Sequence, residues 1–293
     1  MYRRLTHSIM ICAMLALTTS AAYSEPNPKV YNTVKTKLAQ GKQVFGGTID
    51  SYSEDMYCAM ANAGWDFLWI EMQHSSLTYD ETAKMIGRCR GAAAIPFIRV
   101  PDATEGDIQK AVDIGALGII IPMVDTLDKI QNAVKFAKYP PTGRRSSGSA
   151  QARELWGGAD YRQTANDNIM IVAMIENPAG VAMADKIASV PGVDVVFVAS
   201  GDLGSFSGKK QGDPEYEALA TAIKEATLKA GRKVAGPSAW RDRPGYSFFQ
   251  GPPANALIAD GTKVRLSREA KIATPESTGV VIPEGEENFQ KKK

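Results

Sequence analysis

Ile169-Met170-Ile171-Val172-Ala173-Met174-Ile175 runs straight into Glu176, and Val193-Asp194-Val195-Val196-Phe197-Val198 runs through Ala199-Ser200-Gly201 into Asp202. A near-continuous apolar run closed by an acid has the pattern of a strand buried on both faces, as in a parallel sheet covered by helices. Acids placed there stand on the carboxyl edge of the sheet, where α/β enzymes build their sites. Two carboxylates without a thiolate or a second histidine suit a hard, oxygen-preferring divalent cation, Mg²⁺ or Mn²⁺, better than zinc.

Outward from these two runs, short apolar segments alternate with longer ones of helical period from Gln43 onward. Candidate strands fall at 43–47, 67–71, 96–100, 118–121, 169–175, 193–198, 232–236 and 246–250, with helical stretches at 80–90, 105–114, 126–137, 179–189 and 215–230. Eight strands alternating with helical stretches in one chain predict an α/β fold of the (β/α)8 TIM barrel type, in a single domain. The pattern is weakest around Arg241-Asp242-Arg243-Pro244-Gly245, where proline and charges interrupt it. The longest interruption, 139–168, opens Tyr139-Pro140-Pro141-Thr142-Gly143-Arg144-Arg145-Ser146-Ser147-Gly148. Its prolines, glycines and serines predict an irregular loop, expected to overhang the site.

The 293 residues carry a formal charge of +2. Arg3-Arg4, the apolar stretch from Ile9 to Leu17 and the small residues of Ala22-Tyr23-Ser24 read as a secretory signal peptide over 1–24, its apolar core too short for a membrane span. Residues 25–273 then form the barrel domain and 274–293 a polar, flexible tail. Without the leader the charge falls to zero, so nothing points to nucleic acid, and no stable membrane span is expected after cleavage. A periplasmic or secreted location follows. His74 is then the one histidine left, and Cys58 and Cys89 the two cysteines. An exported chain can form a disulfide, yet two separate buried thiols are the simpler expectation, because pairing cannot be read from sequence.

At the other strand ends, Ile70-Glu71-Met72-Gln73-His74 and Phe97-Ile98-Arg99-Val100-Pro101 add an acid, an imidazole and a guanidinium to the same rim. Each has a plainer reading. Glu176 can serve as a first-turn acid of a helix opening at Asn177-Pro178, Asp202 as a turn residue, Arg99 as half of a structural ion pair, and His74 as a satisfied loop histidine. Their joint arrival at one barrel mouth favours chemistry.

Trp65-Asp66-Phe67-Leu68-Trp69-Ile70-Glu71-Met72-Gln73-His74, Arg99-Val100-Pro101, Asp113-Ile114-Gly115-Ala116, Ile121-Pro122-Met123-Val124, Tyr139-Pro140-Pro141-Thr142-Gly143-Arg144-Arg145, Ile175-Glu176 and Gly201-Asp202-Leu203 follow in one order. In this the chain resembles the HpcH/HpaI aldolase family, class II metal-dependent pyruvate aldolases that act on 4-hydroxy-2-keto acids. The resemblance is close from about Gln43 to Gly208 and fainter to about Arg268. It implies a (β/α)8 barrel with Glu176 and Asp202 as metal ligands and His74 as the catalytic base. It further implies Glu71 as the acid orienting that histidine and Arg99 as the group beside the substrate's keto oxygen. Ser149, the backbone at Gly201 and Asp202 fall where the family binds pyruvate's carboxylate, and Asp113 where an acid reaches a neighbouring subunit's site, so a homo-oligomer is implied.

The chain departs from many relatives in several places. Glu71-Met72-Gln73-His74 stands for Asp-x-Glu-His, Met174 for a glutamine, Arg145-Ser146-Ser147-Gly148 for Arg-Gly-x-Gly, and Ser200-Gly201 for Pro-Ala. The expected activity is a carbon–carbon lyase that cleaves a hydroxy-keto acid to pyruvate and an aldehyde, or adds them in reverse. The alternatives are an oxaloacetate decarboxylase or enolate-adding enzyme of the macrophomate synthase type, and a non-catalytic, exported keto-acid-binding barrel.

Overall fold

Each of the expected apolar runs forms a strand, with ends displaced by a few residues: β1 (Val44–Ile49), β2 (Phe67–Glu71), β3 (Ile95–Arg99), β4 (Gly118–Ile121), β5 (Met170–Ile175), β6 (Val195–Val198), β7 (Lys233–Pro237) and β8 (Tyr246–Pro253). The computed structural model describes residues 29–273; the leader at 1–24 and the tail at 274–293 lie outside the described residues. Every strand pairs in parallel with the next, and β8 pairs with β1 to close the barrel. The helices are α1 (Thr33–Ala39), α2 (Glu54–Ala61), α3 (Tyr79–Arg88), α4 (Glu105–Asp113), α5 (Leu127–Ala137), α6 (Ala150–Trp156), α7 (Tyr161–Asn168), α8 (Pro178–Ala182), α9 (Ala184–Ser189), α10 (Ser200–Ser207), α11 (Pro214–Lys229) and α12 (Ala254–Ala273).

Where the chain turns from strand to helix, a short polar side chain ends the extended segment and starts the coil. Ser53, Thr78, Thr104, Thr126 and Asn177 each accept a backbone N–H from the first turn of the helix that follows. At α3 the bond is reciprocated by Glu81, a full capping box. These caps ring the mouth, at the carboxyl ends of the strands. The opposite end is closed by Asn32, which is fully buried and donates from its amide to Leu117 O and Asn168 O while capping α1.

The barrel interior is aromatic. β3 and β8 are not neighbours, yet the Phe97 and Phe248 rings lie 5.6 Å apart, and Phe67 on β2 meets them at 5.0 and 4.3 Å. Glycines make room for these rings: a Cβ on Gly118 would lie 1.8 Å from Phe97 and one on Gly46 2.1 Å from Phe67.

Four sequence expectations need correction. Segment 139–168 is not irregular throughout, since its second half forms α6 and α7, and only 139–149 lacks helix. Nor does it overhang the mouth. It joins the end of α5 to the start of β5, so it packs at the amino-terminal end of the barrel, where Trp156 donates to Gly115 O and Asn168 to Lys29 O. The helix expected at 179–189 is broken at Met183 into α8 and α9. The two cysteines, expected as separate thiols, are joined as a Cys58–Cys89 disulfide between α2 and the end of α3.

The disulfide closes a chain segment 31 residues long around β2. Reduction, or replacement of both cysteines by serine, is expected to lower stability by about 3 kcal/mol through the freed entropy of the unfolded chain. A urea midpoint that does not move on reduction would contradict this.

The last turn of the barrel is thin. Between β7 and β8 the crossover is 238–245, holding only a 3-10 turn at Ser238–Trp240 instead of a covering helix. Trp240 fills part of the gap, edge-on to Tyr246 at 5.5 Å and beneath Arg243 at 3.9 Å. A cleft of about 250 Å³ remains beside α11, lined by Lys224, Arg243, Pro244 and Tyr246 among others. α12 leaves the barrel after Ala254, and Ile258, Val264 and Leu266 on it are exposed.

Candidate active site

Alternation along each strand carries the inward direction from the aromatic cluster to the rim. From Phe67 it reaches Trp69 and Glu71, from Phe97 it reaches Arg99, and from Phe248 it reaches Gln250. Phe197 on β6 lies edge-on to Trp69 at 5.2 Å, and the Met174 sulfur is 3.9 Å from Arg99 Nη1. Trp69, Phe197 and Met174 thus make an apolar floor with polar groups standing above it.

Glu71 and Arg99 are both buried and paired at 2.5 Å. The pair is held at the correct level because β2 and β3 run in register, Glu71 against Arg99. Glu71 Oε2 also accepts from Trp69 Nε1 at 3.1 Å, and the guanidinium lies 5.6 Å from the Trp69 ring. Glu71 Oε1 accepts the backbone N–H groups of Gln73 at 2.9 Å and His74 at 3.0 Å. The sequence led us to expect Glu71 to orient the His74 imidazole. Its two oxygens are instead engaged by Arg99, Trp69 and loop backbone, so it shapes the loop that carries His74 and leaves that side chain exposed.

Glu176 follows β5 and is almost fully buried, with Oε1 lacking any hydrogen-bond partner. Burial raises its carboxyl from the ordinary 4.5 to about 7, and the negative charge of Asp202 adds to the rise. A hydrogen bond from the Met123 backbone and the charges of Arg99 and Lys129 act in the opposite direction without cancelling it. Glu176, Asp202 and Arg99 all stand at the carboxyl ends of strands of one closed barrel, after β5, after β6 and at the end of β3. Asp202, expected in a loop, sits in the first turn of α10, where N–H groups and the helix dipole favour anions. Gly201 beside it faces open space.

A buried, unpartnered carboxylate oxygen next to a second carboxylate fits a hard divalent cation, whose charge would relieve both. Among the described residues no cluster of three or more acidic, histidine or cysteine side chains adds to this pair. A cation held by Glu176 and Asp202 would have its remaining positions filled by water or substrate.

The titration of Glu176 has a thermodynamic consequence for the cation-free protein. Its native value lies above the unfolded one, so the unfolded chain binds fewer protons between about pH 4.5 and 7, and stability falls as pH rises through that window. The loss is expected to be on the order of 3 kcal/mol, and Glu176→Gln should flatten it. Urea midpoints in chelator across this range, with parallel slopes for wild type and variant, would refute the assignment.

Two further sequence candidates are not at this mouth within one chain. Asp113 ends α4 and so lies at the opposite end of the barrel, 2.6 Å from the buried Arg145 guanidinium. Ser149 lies in the same cluster, its hydroxyl 3.3 Å from Tyr139 OH and its backbone left-handed at φ 96°. Lys138 is also at that end. Its ammonium is buried against the carbonyls of Asn166 and Ile169, and burial lowers it to about 8.

Sequence reasoning missed Met123, Trp69 and Gln250. Met123 holds a left-handed backbone at φ 51°, a strained conformation for a side chain of its size, which aims its N–H at Glu176. The only sign of it was Pro122 directly after the apolar run of β4.

Residues 49–237 match the profile of the family described as HpcH/HpaI aldolase/citrate lyase. A hydroxypyruvate/pyruvate aldolase of Roseovarius nubinhibens is 33% identical over 207 residues, spanning 69% of this chain and 79% of that protein. A 2-keto-3-deoxy-L-rhamnonate aldolase of Escherichia coli is 30% identical over 215 residues, spanning 72% and 80%. Among solved structures, an HpcH/HpaI aldolase/citrate lyase family protein from Burkholderia cenocepacia superposes with a TM-score of 0.72 at 27% identity, covering 82% of this chain and 99% of its own.

Proposed function

Because the chain belongs to the HpcH/HpaI aldolase/citrate lyase family, we propose that it is a metal-dependent carbon–carbon lyase, cleaving a 4-hydroxy-2-keto acid to pyruvate and an aldehyde or running the addition in reverse. The observation that carries this reading is the buried Glu176 carboxylate, its Oε1 without a partner, at the mouth it shares with Asp202 and Arg99. Glu176 and Asp202 would hold the cation, for which their oxygens favour Mg²⁺ or Mn²⁺. When bound, the cation would supply Lewis acidity toward the keto acid.

The remaining work falls to this chain's own groups. The N–H groups at the start of α10, around Gly201 and Asp202, suit the keto acid's carboxylate. The Arg99 guanidinium would face the keto oxygen and stabilise negative charge as the C3–C4 bond breaks and its electron pair moves into the enolate. His74, on the loop held by Glu71, would take the proton of the 4-hydroxyl as the aldehyde forms, and return it in the addition direction.

Asp113 is at the far end of the barrel, so it would reach a mouth only from a neighbouring copy, in keeping with the homo-oligomer that the resemblance implies; Ser149, buried at that end against Tyr139, is not placed to bind the keto acid's carboxylate within this chain. The Cys58–Cys89 pair supports a periplasmic or secreted location, in keeping with the leader read at 1–24.

Pyruvate release from a series of 4-hydroxy-2-keto acids tests the activity. It is expected only with Mg²⁺ or Mn²⁺ and should stop on chelation. Release that ignores chelation would overturn the metal assignment. Oxaloacetate decarboxylation without any aldol cleavage would move the chain to the macrophomate synthase type.

A further inference from the structure

The wall of the mouth made by β8 and β1 carries a polar pair of its own. Glycine neighbours fix which way these strands face. A Cβ on Gly46 would enter the Phe67 ring inside the barrel, whereas one on Gly47 or Gly251 would meet Trp65 on the outside, at 3.0 and 3.2 Å. Thr48 and Gln250, which alternate with them, therefore face inward. The Thr48 hydroxyl is buried and donates to Gly251 O at 2.9 Å, which leaves its oxygen to accept from Gln250 Nε2 at 3.4 Å.

Gln250 is only half-buried, and facing inward it opens onto the mouth. Its amide keeps a second N–H and a carbonyl oxygen without partners among the described residues. One donor beside one acceptor complements an alcohol, which offers the same two functions reversed. Neither β1 nor β8 carries a lysine or arginine, so an entering carboxylate finds no countercharge on these strands. Arg99, Glu176 and Asp202 come from or follow β3, β5 and β6, and β1 and β8 stand across the closed barrel from that group. A keto acid anchored there extends its C4 substituents toward Thr48 and Gln250.

We propose that the Thr48–Gln250 pair recognises the aldehyde half of the substrate and selects neutral, hydroxylated aldehydes over deoxy or carboxylated ones. Gln250 makes the contact, and Thr48 positions its amide. This rests on the lyase reading of the same mouth. A hydrogen-bonded hydroxyl on a half-exposed amide is expected to give about a tenfold preference.

The test is the ratio of kcat/KM for glyceraldehyde to that for propionaldehyde, measured with pyruvate and Mn²⁺ on the whole chain. Wild type is expected to favour glyceraldehyde about tenfold or more and to use succinic semialdehyde poorly. Gln250→Leu and Thr48→Val should both bring the ratio near unity, while Thr48→Ser should keep it. A ratio unchanged in both Gln250→Leu and Thr48→Val, or a wild type that prefers the semialdehyde, overturns the proposal. Exchange of pyruvate's methyl protons with D2O needs no aldehyde and separates the two levels. If wild type exchanges and the ratio does not move, only the aldehyde assignment falls. If it does not exchange with cation supplied, the lyase reading falls and takes this one with it.

Discussion

Glu176→Gln and Asp202→Ala are each expected to lower kcat/KM for cation-dependent pyruvate release by about a thousandfold or more. Glu71 at the same rim is taken up by Arg99 and Trp69, so among the described residues Glu176 and Asp202 are the carboxylates left to face a cation, and removing either leaves a single anionic oxygen donor. Water can fill the vacant position but brings no charge. The defect should be visible without turnover, as Mn²⁺ binding weakened or lost in calorimetry. Glu176→Gln is the sharper of the two variants because it keeps the side chain's shape and removes a charge whose burial opposes folding of the cation-free protein. It should thus fold at least as well as wild type near neutral pH while losing activity. A Glu176→Gln protein with normal cation binding and normal turnover would remove the basis for the proposed chemistry.

Arg99→Met is expected to combine the second largest loss of activity with the largest loss of stability. The guanidinium balances a Glu71 carboxylate that has almost no access to solvent, at 2.5 Å. Without it, Glu71 retains only the Trp69 indole and two backbone N–H groups. Breaking a buried pair from one side costs about 3–5 kcal/mol, since the remaining charge is stranded. Turnover should fall by about a hundredfold to a thousandfold if, as proposed, the same guanidinium faces the charge that develops on the keto oxygen. Adding Glu71→Gln should restore much of the stability and none of the turnover, a separation read by thermal melts beside kinetics. If the double variant regains activity, Arg99 acts only as a structural partner.

The parts of this molecule legible in its sequence were those governed by burial. β2 and β4 fall where their apolar runs fall, because a strand covered on both faces tolerates little else. Glu176, Asp202 and Arg99 could be placed at one mouth because they follow or end such runs. Properties decided by geometry between elements were not legible. The prolines and glycines of 140–148 hid α6 and α7, whose helical residues begin directly after them. Glu71 is one methylene longer than the aspartate common among relatives, and its reach to the backbone of residues 73 and 74 depends on how the loop folds over it. The cystine depends on the spacing of α2 and α3, and Met123 on a backbone angle.

The helix-free crossover at 238–245 bears on how the barrel is assembled. A parallel partner usually waits for a dozen or more residues of crossover to form and pack before it can dock. Here β8 trails β7 on a short tether, so the two strands can enter together as one unit, with Trp240 and Tyr246 already in contact. Closure then requires this unit to meet β1, where Thr48 bonds Gly251 across 203 positions of sequence. Contacts that distant form late, because a long loop must lose its freedom first. The seam between β8 and β1 is therefore where the ring is expected to be completed last, with the Gln250 amide that faces the mouth arriving on the strand that completes it.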